Sequence, residues 1–205
     1  MPIPKTSAIS PDDENAVNVD LMLRVKLGGS QAEDAFQELI ELHQKAVIGT
    51  VAKMLGNSSE AEDIAQQVFI RLWNSAPRYE VKAKFTTFLY TITRNLVFNE
   101  TKRKQRRKEH SLEEQQENSF SQLEDKFASC PDQEILQAEL KNEVDKAVHN
   151  LPEKQRLAVI LRRYENMPYD QIADVLELSI SAVKSQLFRA RITLRESLSH
   201  YLDQS

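Results

Sequence analysis

Glycine is nearly missing from this chain, four in 205 residues, too few for the tight turns of a sheet-rich fold. Runs that alternate Val, Ile or Thr with polar residues are also missing, so the period-two signal of half-buried strands does not appear. A single cysteine, Cys130, excludes an intrachain disulfide and any cysteine-rich zinc site. Beside Pro131, it reads as an incidental free thiol. His43, His110, His149 and His200 stand in different segments without ligand spacing, and no Gly-rich phosphate loop or nucleophile motif occurs. These absences argue against an enzyme, and no cofactor or metal is expected. The N-terminus carries no charged-then-apolar signal pattern, and no uncharged apolar run approaches about 18 residues. The chain therefore reads as a soluble, cytoplasmic protein without membrane insertion.

What is present is helical periodicity. Apolar residues recur at i, i+3 and i+4 throughout, and 40% hydrophobic with 28% charged residues suffices to build cores. The expected fold class is all-α. The net charge of −4 conceals strong segregation: from Arg71 to Lys108 eleven Lys and Arg face two acids, and from Glu109 to Glu143 ten acids face two lysines. A polyanion senses the local patch before the whole-chain sum. The chain divides into a disordered tail (1–19, three prolines and no periodicity), a first helical domain (20–108), a flexible acidic linker (109–131) and a second small helical domain (132–205). In the first domain, Ser30 is placed as the N-cap of one helix, and Ser59 with Glu62 as a capping box for the next.

Three stretches carry chemistry. In "AEDIAQQVFIRLW" (61–73), Ile64, Val68 and Leu72 form a core stripe, while Asp63, Gln66, Ile70 and Trp73 form a second. An ordinary surface helix needs only one apolar stripe. The second is either a partner-binding strip anchored by an aromatic or a place where Trp73 completes the core. In "FTTFLYTITRNLVFNETKRKQRRK", Phe88, Leu89, Ile92 and Leu96 point inward, and Thr91, Asn95, Asn99 and Lys102 run beside them with Phe98 adjacent. Six of the seven residues from Lys102 to Lys108 are basic. Amides in line, a ring to stack on and a cationic track suit unpaired bases.

The third stretch, "YDQIADVLELSISAVKSQLFRAR" (169–191), has the spacing of a helix-turn-helix: a first helix with Ile172, Ala173 and Leu176, a turn at Glu177-Leu178-Ser179, and a second helix from near Ile180. Val183, Leu187, Ala190 and Leu194 stack on the inner side of that second helix. Ser181, Ala182, Lys184 and Ser185 would face base edges, with Arg189, Arg191 and Arg195 better placed for phosphates. Glu177 occupies a turn position where positive φ favours glycine.

In this order and spacing, the three stretches, with "LPEKQRLAVILRRYENMP" (151–168) leading into the third, resemble the bacterial RNA polymerase sigma factors of the extracytoplasmic-function (ECF) type, over about Asp20 to Leu198. The resemblance implies a dissociable, non-enzymatic subunit that directs core RNA polymerase to promoters. Its partners would be core RNA polymerase (the large clamp subunit and the flap region), promoter DNA and an anti-sigma factor. It implies polymerase binding by Asp63, Gln66, Gln67, Ile70 and Trp73. It assigns recognition and opening of the −10 element to Thr91, Arg94, Asn95, Phe98, Asn99, Lys102, Arg103 and Arg106, with the Pro77–Lys84 loop shaping a flipped-base pocket. The −35 element falls to Ser179, Ser181, Ala182, Lys184, Ser185, Phe188 and Arg189. The chain departs from the family's common pattern at Phe88 (commonly Trp), Ala182 (frequently Thr) and Gln186 (frequently Arg). The competing reading is a stand-alone dimeric helix-turn-helix repressor or activator, with the Trp73 strip as its self-association face.

Overall fold

A computed structural model describes residues 11–57, 59–111 and 131–202, and every regular element among them is helical. The helices are α1 (Pro11–Leu27), α2 (Ala32–Leu55), α3 (Ala61–Ser75), α4 (Phe85–Ser111), α5 (Pro131–His149), α6 (Glu153–Arg163), α7 (Tyr169–Leu176), α8 (Ile180–Ser197) and a short α9 (Ser199–Leu202). A 3-10 turn, Ala76–Arg78, follows α3. Cys130 and most of the acidic linker lie outside the described residues.

The first four helices enclose Leu21, Met22, Leu39, Val47, Met54, Val68, Leu72, Phe85 and Leu89, all buried. The first helix begins at Pro11, not at Asp20 as apolar periodicity suggested. The reason is that α1 docks partly through polar side chains, which an apolar count cannot see. Asn15 Oδ1 accepts the backbone N–H of Phe85 at 2.9 Å and so caps the start of α4. Asn18, itself buried, meets the His43 ring at 2.9 Å. Lys26 Nζ donates to the Tyr79 carbonyl at 2.7 Å, tying α1 to the loop before α4.

Two expected caps do not form. Gln31, not Ser30, occupies the N-cap of α2 and makes no side-chain cap bond. Ser59 turns back to Asn57 Oδ1 through its N–H (3.0 Å) and hydroxyl (2.8 Å), leaving Glu60 as an uncapped N-cap of α3. An Asx turn is the local competitor that wins there.

Gly56 ends α2 in the left-handed region (φ 66), its N–H bonded to the Ala52 carbonyl at 2.8 Å. A Cβ on Gly56 would lie 2.7 Å from two atoms of the His149 ring in α5. Glycine is therefore required twice over, by the backbone and by the neighbour.

Helices α5 to α8 build the second half around Leu151, Leu157, Ile160, Leu161, Ile172, Val175, Leu176 and Val183. The two halves pack on each other, α4 along α7 and α2 along α6 and α5, so that their apolar residues form one continuous cluster.

Candidate polymerase and promoter interfaces

On α3 the two stripes separate as the sequence pattern suggested. Ile64, Val68 and Leu72 are buried, while Asp63, Gln66 and Gln67 are exposed and Ile70 and Trp73 are 59% and 38% exposed. Trp73 does not complete the core. Its ring meets Phe36 of α2 edge-on, with centroids 4.9 Å apart, a favourable aromatic geometry. Beside it, α2 and α3 form a groove of about 660 Å³ lined by Phe36, Ile40, Ile48, Gln66, Phe69, Ile70 and Trp73. Sequence reasoning missed the α2 wall because Phe36 and Ile40 fit a core stripe. The available signal was that the apolar residues of α2 outnumber what one stripe can hold.

Along α4, Asn95 and Asn99 are exposed, Thr91 and Phe98 half-buried, and Lys102, Arg103 and Arg106 exposed. Several of these groups already have partners. The Thr91 hydroxyl donates to the Thr87 carbonyl at 2.8 Å, and Arg103 Nη2 pairs with the buried Glu100 at 2.8 Å. Arg94 departs from the expected solvent-facing strip. It is buried, and its Nη1 donates to the Val175 carbonyl of α7 at 2.6 Å. Near the start of α4, Phe88 packs against Tyr79 (centroids 5.3 Å apart) and, with Arg71, Asn74, Ser75 and Arg78, lines a cavity of about 370 Å³. Burial pushes the Tyr79 phenol above its ordinary pKa.

In the second half, α7 and α8 meet at the Glu177-Leu178-Ser179 turn. Glu177 is left-handed (φ 53, ψ 50), and the N–H groups of Glu177 and Leu178 return to α7 carbonyls. For a residue with a Cβ this conformation costs about 1–2 kcal/mol. Val183 and Ala190 are fully buried, with Leu187 and Leu194 packed beside them. On the outer face Ser181, Lys184, Ser185, Phe188 (63% exposed) and Arg189 are open, and Ala182 is half-buried. Ser179 is the N-cap of α8: its Oγ accepts from the Ala182 N–H at 3.2 Å, so this hydroxyl serves the helix start. The Ser185 hydroxyl likewise donates to the Ser181 carbonyl at 3.0 Å.

No helix among the described residues is long and apolar enough to cross a membrane. No cluster of three or more His, Cys, Asp or Glu side chains there could hold a metal ion.

A basic helix with aligned amides, an exposed apolar groove and a helix-turn-helix are together the features of a DNA-binding transcription factor with a protein partner. The family models agree with that division: Sigma-70 region 2 matches residues 39–107 and Sigma-70 region 4 matches 141–194. The ECF RNA polymerase sigma-E factor of Haemophilus influenzae is 30% identical over 180 residues, covering 87% of this chain and 93% of that protein. The ECF RNA polymerase sigma factor SigW of Bacillus subtilis is 27% identical over 180 residues, covering 85% and 95%. Among solved structures, the fold matches the sigma factor RpoE of Bartonella quintana in complex with the anti-sigma factor NepR, with a TM-score of 0.64, 24% identity, and 80% and 96% of the two chains covered. It also matches CnrH in complex with the cytosolic domain of CnrY, with a TM-score of 0.62, 18% identity, and 92% and 99% covered.

The chain belongs to the ECF RNA polymerase sigma factors. It is a transcription initiation factor that binds core RNA polymerase and directs it to promoters. The dimeric repressor reading draws no support from these matches.

Proposed function

We propose a residue-level division of labour within this sigma factor. The exposed strip Asp63, Gln66, Gln67, Ile70 and Trp73, together with the α2 wall of the groove, docks on the clamp of core polymerase. Thr91, Asn95, Phe98, Asn99, Lys102, Arg103 and Arg106 follow the displaced strand of the −10 element. The cavity bounded by Phe88, Arg71 and Arg78 receives a base turned out of the stack. Extruding a base costs a few kcal/mol, and capture in a cavity flanked by two guanidinium groups and a ring offsets that cost. The outer face of α8 (Ser181, Ala182, Lys184, Ser185, Phe188 and Arg189) reads the −35 element, with Ser179 fixing the start of the reading helix. The functional halves are then α1 to α4 and α5 to α9, working in the cytoplasm beside the polymerase. By analogy with the matched complex of RpoE with NepR, an anti-sigma factor is a further partner.

The observation that carries this reading is the apolar groove joined to an exposed tryptophan on a helix whose other stripe is fully engaged in the core. Purified chain should co-elute with sigma-free core polymerase as a stoichiometric complex. Trp73→Ala should weaken that complex by at least about 2 kcal/mol, the scale of an interface hot spot, or roughly 30-fold. Unchanged affinity in a variant with unchanged circular dichroism would move the docking site elsewhere.

A further inference from the structure

The loop before α4 has little backbone order of its own. Residues 79–84 are irregular, and the backbone bond within the stretch runs from the Lys82 N–H to the Glu80 carbonyl at 2.9 Å. Ordering such residues costs conformational entropy at each position. Both ends of the loop are nevertheless tied to a single helix. At one end Lys26 Nζ donates to the Tyr79 carbonyl at 2.7 Å, and at the other Asn15 Oδ1 accepts the Phe85 N–H at 2.9 Å.

The two side chains stand 11 residues apart on α1. That is about three turns, so they share one face of the helix. Between them Asn18 meets the His43 ring, which is tilted against Phe85. Tyr79 and Phe85 are 3% and 0% exposed, so each tie ends on a residue locked in the core. Farther along α4, Arg94 bonds to the Val175 carbonyl and to Glu177 Oε1 (2.8 Å) in the other half, whereas α1 meets the helix at its first residue.

These ties adjoin the cavity at the start of α4. Arg78 immediately precedes Tyr79, and Phe88 lies one turn into α4 from Phe85, with the Tyr79 and Phe88 rings 5.3 Å apart. The remaining wall, Arg71, Asn74 and Ser75, belongs to α3 and is placed by that helix. The separation between Arg78 and Phe88 therefore depends on where α1 holds the two loop ends. A base drawn out of the stack is stabilised most by walls already in position, because no binding energy is then lost in ordering them. We propose that α1 braces the base-capturing cavity, and that Asn15 and Lys26 are positioning residues for strand opening although neither lines the cavity. The inference rests on the reading of that cavity as the seat of an extruded base.

The test uses holoenzyme assembled from core polymerase and the full chain, on a promoter that the wild type selects from a random-sequence pool. Each nucleotide of the −10 non-template strand is made abasic in turn, and opening is followed by permanganate reactivity of unpaired thymines. For the wild type one position should stand out, opening roughly 10-fold less when abasic, within the range of one base stacked on an aromatic ring. Arg78→Ala, which alters the cavity itself, should erase that penalty. Lys26→Met and Asn15→Leu should open the intact promoter roughly 3- to 10-fold less, the worth of one hydrogen bond, yet open the abasic promoter as well as the wild type does. Lys26→Arg and Asn15→Asp, which keep the donor and the acceptor, should restore the penalty. No abasic-sensitive position, or a full penalty in Arg78→Ala, would overturn the cavity reading and the brace with it. A penalty erased in Arg78→Ala but kept in Lys26→Met and Asn15→Leu would overturn the brace alone. Equal losses on intact and abasic promoters would also overturn the brace, since they report a general loss of fold.

Discussion

Acid should loosen the first half of this protein through one histidine. His43 is buried between α1 and α4, bonded to Asn18 and tilted against Phe85 with ring centroids 5.2 Å apart. Burial lowers its pKa from 6.5 to about 4. The folded state therefore resists the proton that the unfolded chain accepts, and stability falls as pH drops through the window from about 6.5 to about 4. Linkage with these two values gives a loss of about 2 kcal/mol between pH 7.5 and 5, rising to roughly 3 kcal/mol below pH 4. Urea unfolding at pH 7.5, 6 and 5 measures it directly, with His43→Gln as the non-titrating partner. The variant should start less stable, because packing is disturbed, yet lose about 2 kcal/mol less than wild type over that range. Equal losses in the two proteins would refute the assignment of the pH dependence to His43.

Three further outcomes are expected. Gly56→Ala should destabilise the chain by about 1–2 kcal/mol from the left-handed backbone alone, with an added penalty from the His149 ring, seen as a lower urea midpoint; an unchanged midpoint would mean that the turn relaxes freely. Asn99→Ala should slow promoter opening, followed by permanganate reactivity of unpaired thymines, while duplex binding through the −35 element stays intact. Replacing Lys102 and Arg106 by Gln together should reduce the slope of log affinity against log salt for single-stranded DNA by about 1.4, near 0.7 for each phosphate no longer neutralised; an unchanged slope would remove these residues from the phosphate track.

Much of this was legible in the sequence because it concerned periods and turns. The double striping of 61–73 marked a second face beyond the core stripe but left Trp73 between core and partner strip, a choice that its 38% exposure decides. The spacing around Glu177 located a helix-turn-helix and even the strained turn residue. Other features left no such trace. The start of α1 was missed because Asn15 and Asn18 bury polar atoms against specific partners, 70 and 25 residues away, and hydropathy scores them as surface. The α2 wall of the groove was missed because Phe36 is equally at home in a core or a docking cleft. Arg94 looked like one more cation in a basic run, and only the packing of α4 on α7 distinguishes it. Tyr90 and Val97 are buried on that helix as well. A period reports that a face is covered, not whether a nearby or a distant segment covers it.

That distance has a consequence in time. Helices α1 to α4 pack on one another within one contiguous stretch, and Asn15, whose side chain caps α4, is synthesised 70 residues before Phe85. The partner of Arg94 lies 83 residues later. At about 5–20 residues per second, the nascent chain spends roughly 4–17 s with Arg94 lacking that partner. Each newly made molecule thus passes once through a state in which the side of α4 that packs on α7 is still open, before its own C-terminal half has been synthesised to cover it.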